Sequence, residues 1–425
     1  MSRGLGDVYK RQQLACFVNI YYNAKYFQRE VHTCMGAKKY AYVNYKMLVW
    51  ARSETPFGTT SDVANHISGF RSEVIDKWER GEELPSITEA KKLANLYKVP
   101  FATFYLSNPP EKKTKAYTDR RTYNDTVYRE TSYELWSEIG RITGNRQIIV
   151  NLSDDTEYRS LPSVGPKLSE KQIADVIRKY FELDLPFKNK SAYRNNGFNY
   201  YRALLEHYGI MVAQITGVSL SEMRGISMYY DTFPIIAINN KDFERAKVFS
   251  LFHEVAHLVR RSSSLCLIDF DERNDEEEKI CDRIAAEVLM PEESFRYVSS
   301  NALNLYGDWS DLCLISIADK YAVSTFSVVR RLRELDIINR SDYYSIYKRI
   351  SDSFKEEQDS IIQNKKDREF KVKYYITYLS KEGYLFPKKV LSAYSRGDIS
   401  YGEMCSTLSI KGKHISNIER AVMFI

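Results

Sequence analysis

The strongest constraint in this chain is the pentapeptide HEVAH at 253–257. Residues four apart on an α-helix stand one turn apart on the same face, so His253 and His257 reach one ion together when the segment is helical. Glu254 is turned by about 100° from His253, which sets its carboxylate beside such an ion rather than on it. The apolar spacing from about Asp242 to Arg260 predicts the long amphipathic helix that this arrangement needs.

A second segment completes the chemistry. EEKICDRIAAEVLMP follows, with Ile280, Ile284, Ala285, Val288 and Leu289 at helical spacing. Glu278 and Asp282 are four apart on one face of that helix. Glu278 can supply a third ligand, giving a His₂Glu set with one position open for water, a composition that suits Zn²⁺, with other divalent metals left open. Asp282 is placed to accept the free N–H of a ligating histidine. Glu276 and Glu277 read as solvated surface. Glu287 lies on nearly the opposite side of the helix and is not expected to be a ligand. A flanking carboxylate such as Glu254 can take a proton from zinc-bound water.

Ahead of the histidine helix come three short apolar stretches, 210–215, 225–230 and 235–239, that read as strands of a small sheet. Were the GISMYY strand at an edge, a substrate could add to it in extended form. Tyr229 and Tyr230 are weak candidates for an oxyanion donor. Helices are predicted at 133–147, 168–181 and 198–208, with a strand at 148–152. The fold class is α+β: an N-terminal all-α module, a central zincin-like domain of small sheet plus metal-binding helix, and a helical C-terminal region.

The expected boundaries are 44–110 for the module, 111–129 for a polar, basic linker, 130–340 for the metal domain and 341–425 for the C-terminal helices, a candidate substrate- or partner-binding region. Residues 1–12 (MSRGLGDVYKRQ) fit no pattern and read as non-native sequence, and the rest of 1–43 receives no assignment. Within 44–110, short amphipathic helices are separated by Gly69 and by Gly81, and Ser86 is placed to cap the fourth. Arg71, Ser72 and Lys77 are candidate DNA contacts on the third helix. Eight basic residues against eight acidic ones across 44–108 make a neutral surface, poor for phosphate-driven affinity.

The six cysteines are scattered without a CxxC pair, which points to reduced thiols and a cytoplasmic protein. No stretch approaches the length of a membrane span, and the N-terminus lacks the apolar core of a secretory signal. After Pro291 the pattern is helical. Val328, Leu332 and Leu335 share one face, and Arg330, Arg331 and Arg333 read as a basic patch or, more simply, a solvated face. His414 reads as a surface or capping histidine.

Two resemblances follow from these residues. VIDKWERGEELPSITEAKKLANLYKV resembles the end of XRE-type helix-turn-helix domains. The order PIIAIN, ERAKVFSLFHEVAHL, an acidic loop and E-x-x-C-D-x-x-A-A-E-x-L-M-P resembles the ImmA/IrrE metallopeptidases, whose members often carry such a module in front. The resemblance implies His253 and His257 as ligands, Glu278 as third ligand and Glu254 as catalytic base. It departs at Asp282, where the family usually has asparagine, and at Ile284, where it usually has an aromatic residue. It implies a zinc endopeptidase acting on a regulatory protein, a helix-turn-helix repressor or an antitoxin-like partner. The alternative is a DNA-binding regulator or antitoxin whose metal domain senses a signal or binds a partner.

Overall fold

A computed structural model describes residues 39–110, 132–153, 160–165, 167–183, 197–261, 264–266, 275–365 and 373–423. The expected linker and the start that reads as non-native therefore lie outside the described residues. The chain divides into two compact units: Met1–Glu54 with Thr59–Glu111, and Thr55–Gly58 with Lys112–Ile425.

The first unit is helical: α1 (Tyr45–Ser53), α2 (Thr60–His66), α3 (Ser72–Arg80), α4 (Ile87–Leu96) and a 3₁₀ turn at Phe101–Tyr105. Thr59 with Asp62, and Ser86 with Glu89, form capping boxes that satisfy orphan N–H groups at the starts of α2 and α4. Met47, Leu48, Val63, Ile75, Trp78, Leu93 and Phe104 form its core. In and just after α2, Val63 is fully buried, while Ala64 and Ile67 are half-buried. Arg52 holds α1 to α3 through both carboxylate oxygens of Glu79, at 2.8 and 2.9 Å.

The second unit begins with α5 (Tyr133–Leu152), α6 (Glu170–Tyr180) and α7 (Gly197–His207). The expected strand at 148–152 is instead the last turn and a half of α5. Its β-branched run follows the helix because Ile149 is buried there among apolar neighbours, and tertiary burial overrides local β preference. A four-stranded sheet follows: β1 (Met211–Ile215), β2 (Gly225–Met228) and β3 (Ile235–Asn239), then α8 (Glu244–Val259) and β4 (Ser264–Cys266), in the order β1-β3-β2-β4. β1 and β3 run parallel; β2 is antiparallel to both β3 and β4. Strand β2 is therefore not an edge. β4, which was not anticipated, pairs with it.

Alternate residues of the strands feed two cores. Val212, Ile236 and Ile238 pack with α6, α7, α8 and the helices α9 (Asp275–Leu289), α10 (Glu292–Tyr306), α11 (Asp311–Tyr321), α12 (Thr325–Glu334) and α13 (Arg340–Lys365). Met211, Ala213, Ile226, Ile235 and Ala237 pack with α5 and the C-terminal helices α14 (Tyr374–Glu382), α15 (Leu385–Arg396), α16 (Tyr401–Leu408) and α17 (Ile415–Met423). The sheet is thus the middle of three layers, and the C-terminal helices form one of them. Burial of each large aliphatic or aromatic side chain in such layers contributes about 1.5–3 kcal/mol.

The open edge of β1 is closed by side chains. Buried Arg202 donates from Nε and Nη2 to Val212 O (3.0 and 2.8 Å) and from Nη1 to Ser380 O (2.7 Å). Glu206, one turn on, accepts from Tyr384 N at 3.0 and 3.1 Å. Between them sits Gly383 at φ +82°, where a Cβ would lie 2.1 Å from Glu206 and 2.6 Å from Val212 O. Such capping removes the free ladder that an edge strand otherwise offers. No single described helix is long and apolar enough to cross a membrane.

Candidate metal centre

α8 is buried nearly all round, because Val248, Leu251, Phe252, Val255, Ala256, Leu258 and Val259 point into core while β2, α7 and α9 enclose it. Asp242 Oδ1 accepts from Phe243 N at its start, and Glu244 in the first turn complements the helix dipole. α9 packs along α8 through Cys281, Ile284, Ala285 and Val288. This packing faces the polar turn of one helix toward that of the other.

The result is a cluster of three side chains aimed at one point. His253 Nε2 and His257 Nε2 are 3.1 Å apart. Glu278 Oε2 lies 3.0 Å from the first, and its Oε1 lies 3.4 Å from the second. Tetrahedral bonds of about 2.1 Å set donor atoms about 3.4 Å apart, so the spacing and the N, N, O chemistry fit a divalent metal. His253 is 8% exposed and His257 1%, while the Glu278 side chain is 41% exposed, which leaves the point open on the Glu278 side. Glu277 and Cys281 also come within ligand range of His257, but Glu277 is held by Nε and Nη2 of Arg260, at 2.8 and 2.7 Å.

Asp282 accepts from His253 Nδ1 at 2.9 Å, which turns Nε2 toward the cluster. Its other oxygen accepts from Arg330 at 2.7 Å, and Arg330 is held in turn by Glu334 at 3.2 Å. Burial works against charge on His253, but the bonds to Asp282 and Glu278 outweigh it and carry the imidazole up to about 10. Burial would raise Glu278, yet its two histidine partners hold it well below the usual carboxylate range. Asp282 is likewise lowered, against burial, by His253 and Arg330. A metal therefore competes with a tightly held proton.

Glu254 is 1% exposed and abuts β2. A Cβ on Gly225 would stand 2.6 Å from its Oε1. Sequence reading had no signal for this contact, since it depends on how closely sheet and helix approach. Nor did it find the role of the arginines in α12. Arg330 is the partner of Asp282 while its side chain stays 47% exposed, and Arg331 is 5% exposed and ion-paired with Glu287, so Arg331 belongs to neither a basic patch nor a solvated face. The i,i+4 spacing of Arg330 and Glu334 was readable; the link across 48 residues to Asp282 was not.

Other candidates are engaged elsewhere. Tyr229 donates its hydroxyl to Asp231 at 2.7 Å, and the ring of Tyr230 lies 3.6 Å beneath Arg146. In the first unit Arg71 is exposed at the start of α3, Ser72 is half-buried, and Lys77 is paired with Glu83 at 2.6 Å. His414 stacks at 4.4 Å on Tyr374.

No curated protein matches the chain. The family model for the IrrE N-terminal-like domain, a peptidase family, matches residues 206–333. The match spans β1–β3, α8, α9 and α12, the elements that carry the cluster and its arginine support, and the family's chemistry implies a metal cofactor. Over residues 206–333 the chain is thus similar to the IrrE N-terminal-like peptidase domain.

Proposed function

We propose that the protein is a zinc-dependent endopeptidase that cleaves a regulatory protein, a helix-turn-helix repressor or an antitoxin-like partner. One observation carries this reading: His253, His257 and Glu278 converge at zinc-ligand spacing in a face open toward Glu278, with a buried glutamate following the first histidine. His253, His257 and Glu278 would hold the ion. A zinc ion held there would supply Lewis acidity toward a carbonyl and a water. Glu254 takes the proton of the attacking water and returns it to the leaving amine. Asp282, steadied by Arg330, keeps the His253 ring in register.

The substrate class is supported by the family resemblance, and a cytoplasmic setting by the free thiols of Cys281, Cys313 and Cys405. The DNA-binding regulator is the weaker reading, because Lys77 is already paired with Glu83 and the charge across 44–108 is balanced. The test is elemental analysis of wild type, His253→Ala and Glu254→Gln, with cleavage of candidate partners followed in the same samples. Near one zinc per chain, lost in His253→Ala and kept in a non-cleaving Glu254→Gln, is the expected result. A wild type that takes up no metal even after zinc is added back overturns the proposal.

A further inference from the structure

A cleft of about 760 Å³ runs along the first half of α8. Three features tie it to the metal cluster. Ser250 lines it one turn before His253 and Glu254 on the same helix. Arg330 lines it and donates to Asp282, the acceptor of His253. Arg224 lines it and directly precedes Gly225, which abuts the Glu254 carboxylate.

The charges of the lining are mostly spent. Arg245 is bonded to Asp319, Glu244 to Lys247, and Arg330 to Asp282 and Glu334. Arg224 is the exception. It is exposed, and among the described residues its guanidinium has no ion-pair or hydrogen-bond partner. By the start of α8, Asp242 is buried with Oδ2 unpartnered. The lining therefore holds an exposed cation, on the residue next to Gly225, and a buried carboxylate. An aromatic wall lines it too, with Phe326 and Tyr347 edge to face at 5.1 Å.

We propose that Arg224 is a specificity residue: it binds the carboxylate of an acidic side chain close to the cleaved bond, while a neighbouring apolar side chain rests on Phe326 and Tyr347. The proposal rests on the peptidase reading above. A guanidinium presents paired N–H donors that match a carboxylate, and the low-dielectric wall beside it strengthens the attraction. The ligand is a peptide rather than a nucleic acid, because a strand of phosphates would be driven against Asp242 and Glu244.

The test uses the full-length Glu254→Gln protein loaded with zinc and three pools of blocked peptides. The pools are randomised at flanking positions and differ at one central residue: Glu, Gln or Lys. The Glu pool should bind about fivefold more tightly than the Gln pool. Arg224→Gln should erase that preference, and Arg224→Glu should turn it toward Lys. Phe326→Ala should weaken all three pools alike. Equal binding of the Glu and Gln pools overturns the proposal, as does a Glu preference that survives Arg224→Glu, no binding by any pool, or stronger binding of a single-stranded oligonucleotide. Cleavage of the same pools by wild type is read separately. A charge preference without cleavage keeps the binding role of Arg224 and sinks the peptidase reading; cleavage without a charge preference does the reverse.

Discussion

The second unit buries two clusters of charge, and they solve the problem of burial differently. At the edge of β1, Arg202 is fully buried and Glu206 is 5% exposed, yet their polar atoms meet backbone donors and acceptors of β1, α14 and the turn after it. Between α8 and α9, the Nε2 atoms of two histidines and a carboxylate converge on one point and pair with one another. A charged group costs several kcal/mol to bury unless it is paired, so each arrangement needs a partner. The first finds it in the backbone around it. The second finds it among side chains of metal-ligand type held at metal-ligand spacing. Burial of charge does not mark function here; the kind and spacing of the partners do.

The largest effect should come from Glu254, the proposed base. Glu254→Gln should keep its metal and lower kcat by about 10²–10⁴-fold, the usual contribution of a general base. A comparable loss of metal in this variant would blur the contrast between ligand and base. Next, Arg202→Ala should destabilise the fold by about 3–5 kcal/mol by leaving Glu206 buried without its cation, measured as the denaturant midpoint. The metal content of the protein that remains folded should not change. If metal departs before the fold does, the two clusters are coupled and the comparison breaks.

Asp282→Ala should weaken metal affinity by about 10–100-fold in chelator competition while moving the unfolding midpoint little. The smallest effect concerns pH. Burial, opposed by Arg202, carries Glu206 up to about 7 from the ordinary 4.5. Between those values the unfolded chain has released the proton and the folded chain keeps it, so this group's contribution falls as pH rises through the window. Glu206→Gln should flatten that part of the stability profile. An unchanged slope would show that the pair stays charged throughout.

Those clusters also differ in how far they could be read from the sequence. Spacing of four along a helix is local, so His253 with His257 and Glu278 with Asp282 could be paired on paper. Arg202 and Glu206 share that spacing, but their partners Val212, Ser380 and Tyr384 belong to other elements, and only packing reveals them. The same limit hid Arg330 behind Asp282. At 148–152 a β-branched run outweighed the helix pattern before it, and the apolar contacts that keep α5 going are nonlocal. Strand β4 went unseen because its SLC segment carries too little alternation to register. The stripes of 385–423 were visible as helices, yet their destination, the second face of the sheet, is set by contacts with α5 and the strands.

The close approach of Gly225 to Glu254 changes what it means for such a motif to be intact. The pentapeptide specifies which residue is the proposed base, but a missing methyl group on a neighbouring strand specifies where that carboxylate can sit. A descendant of this chain could keep HEVAH and Glu278 letter for letter, acquire alanine at 225, and still gather its ion. Its carboxylate would be pushed aside by a carbon atom that no motif inspects. Loss of the proposed hydrolysis could therefore begin in the sheet, with every signature residue in place.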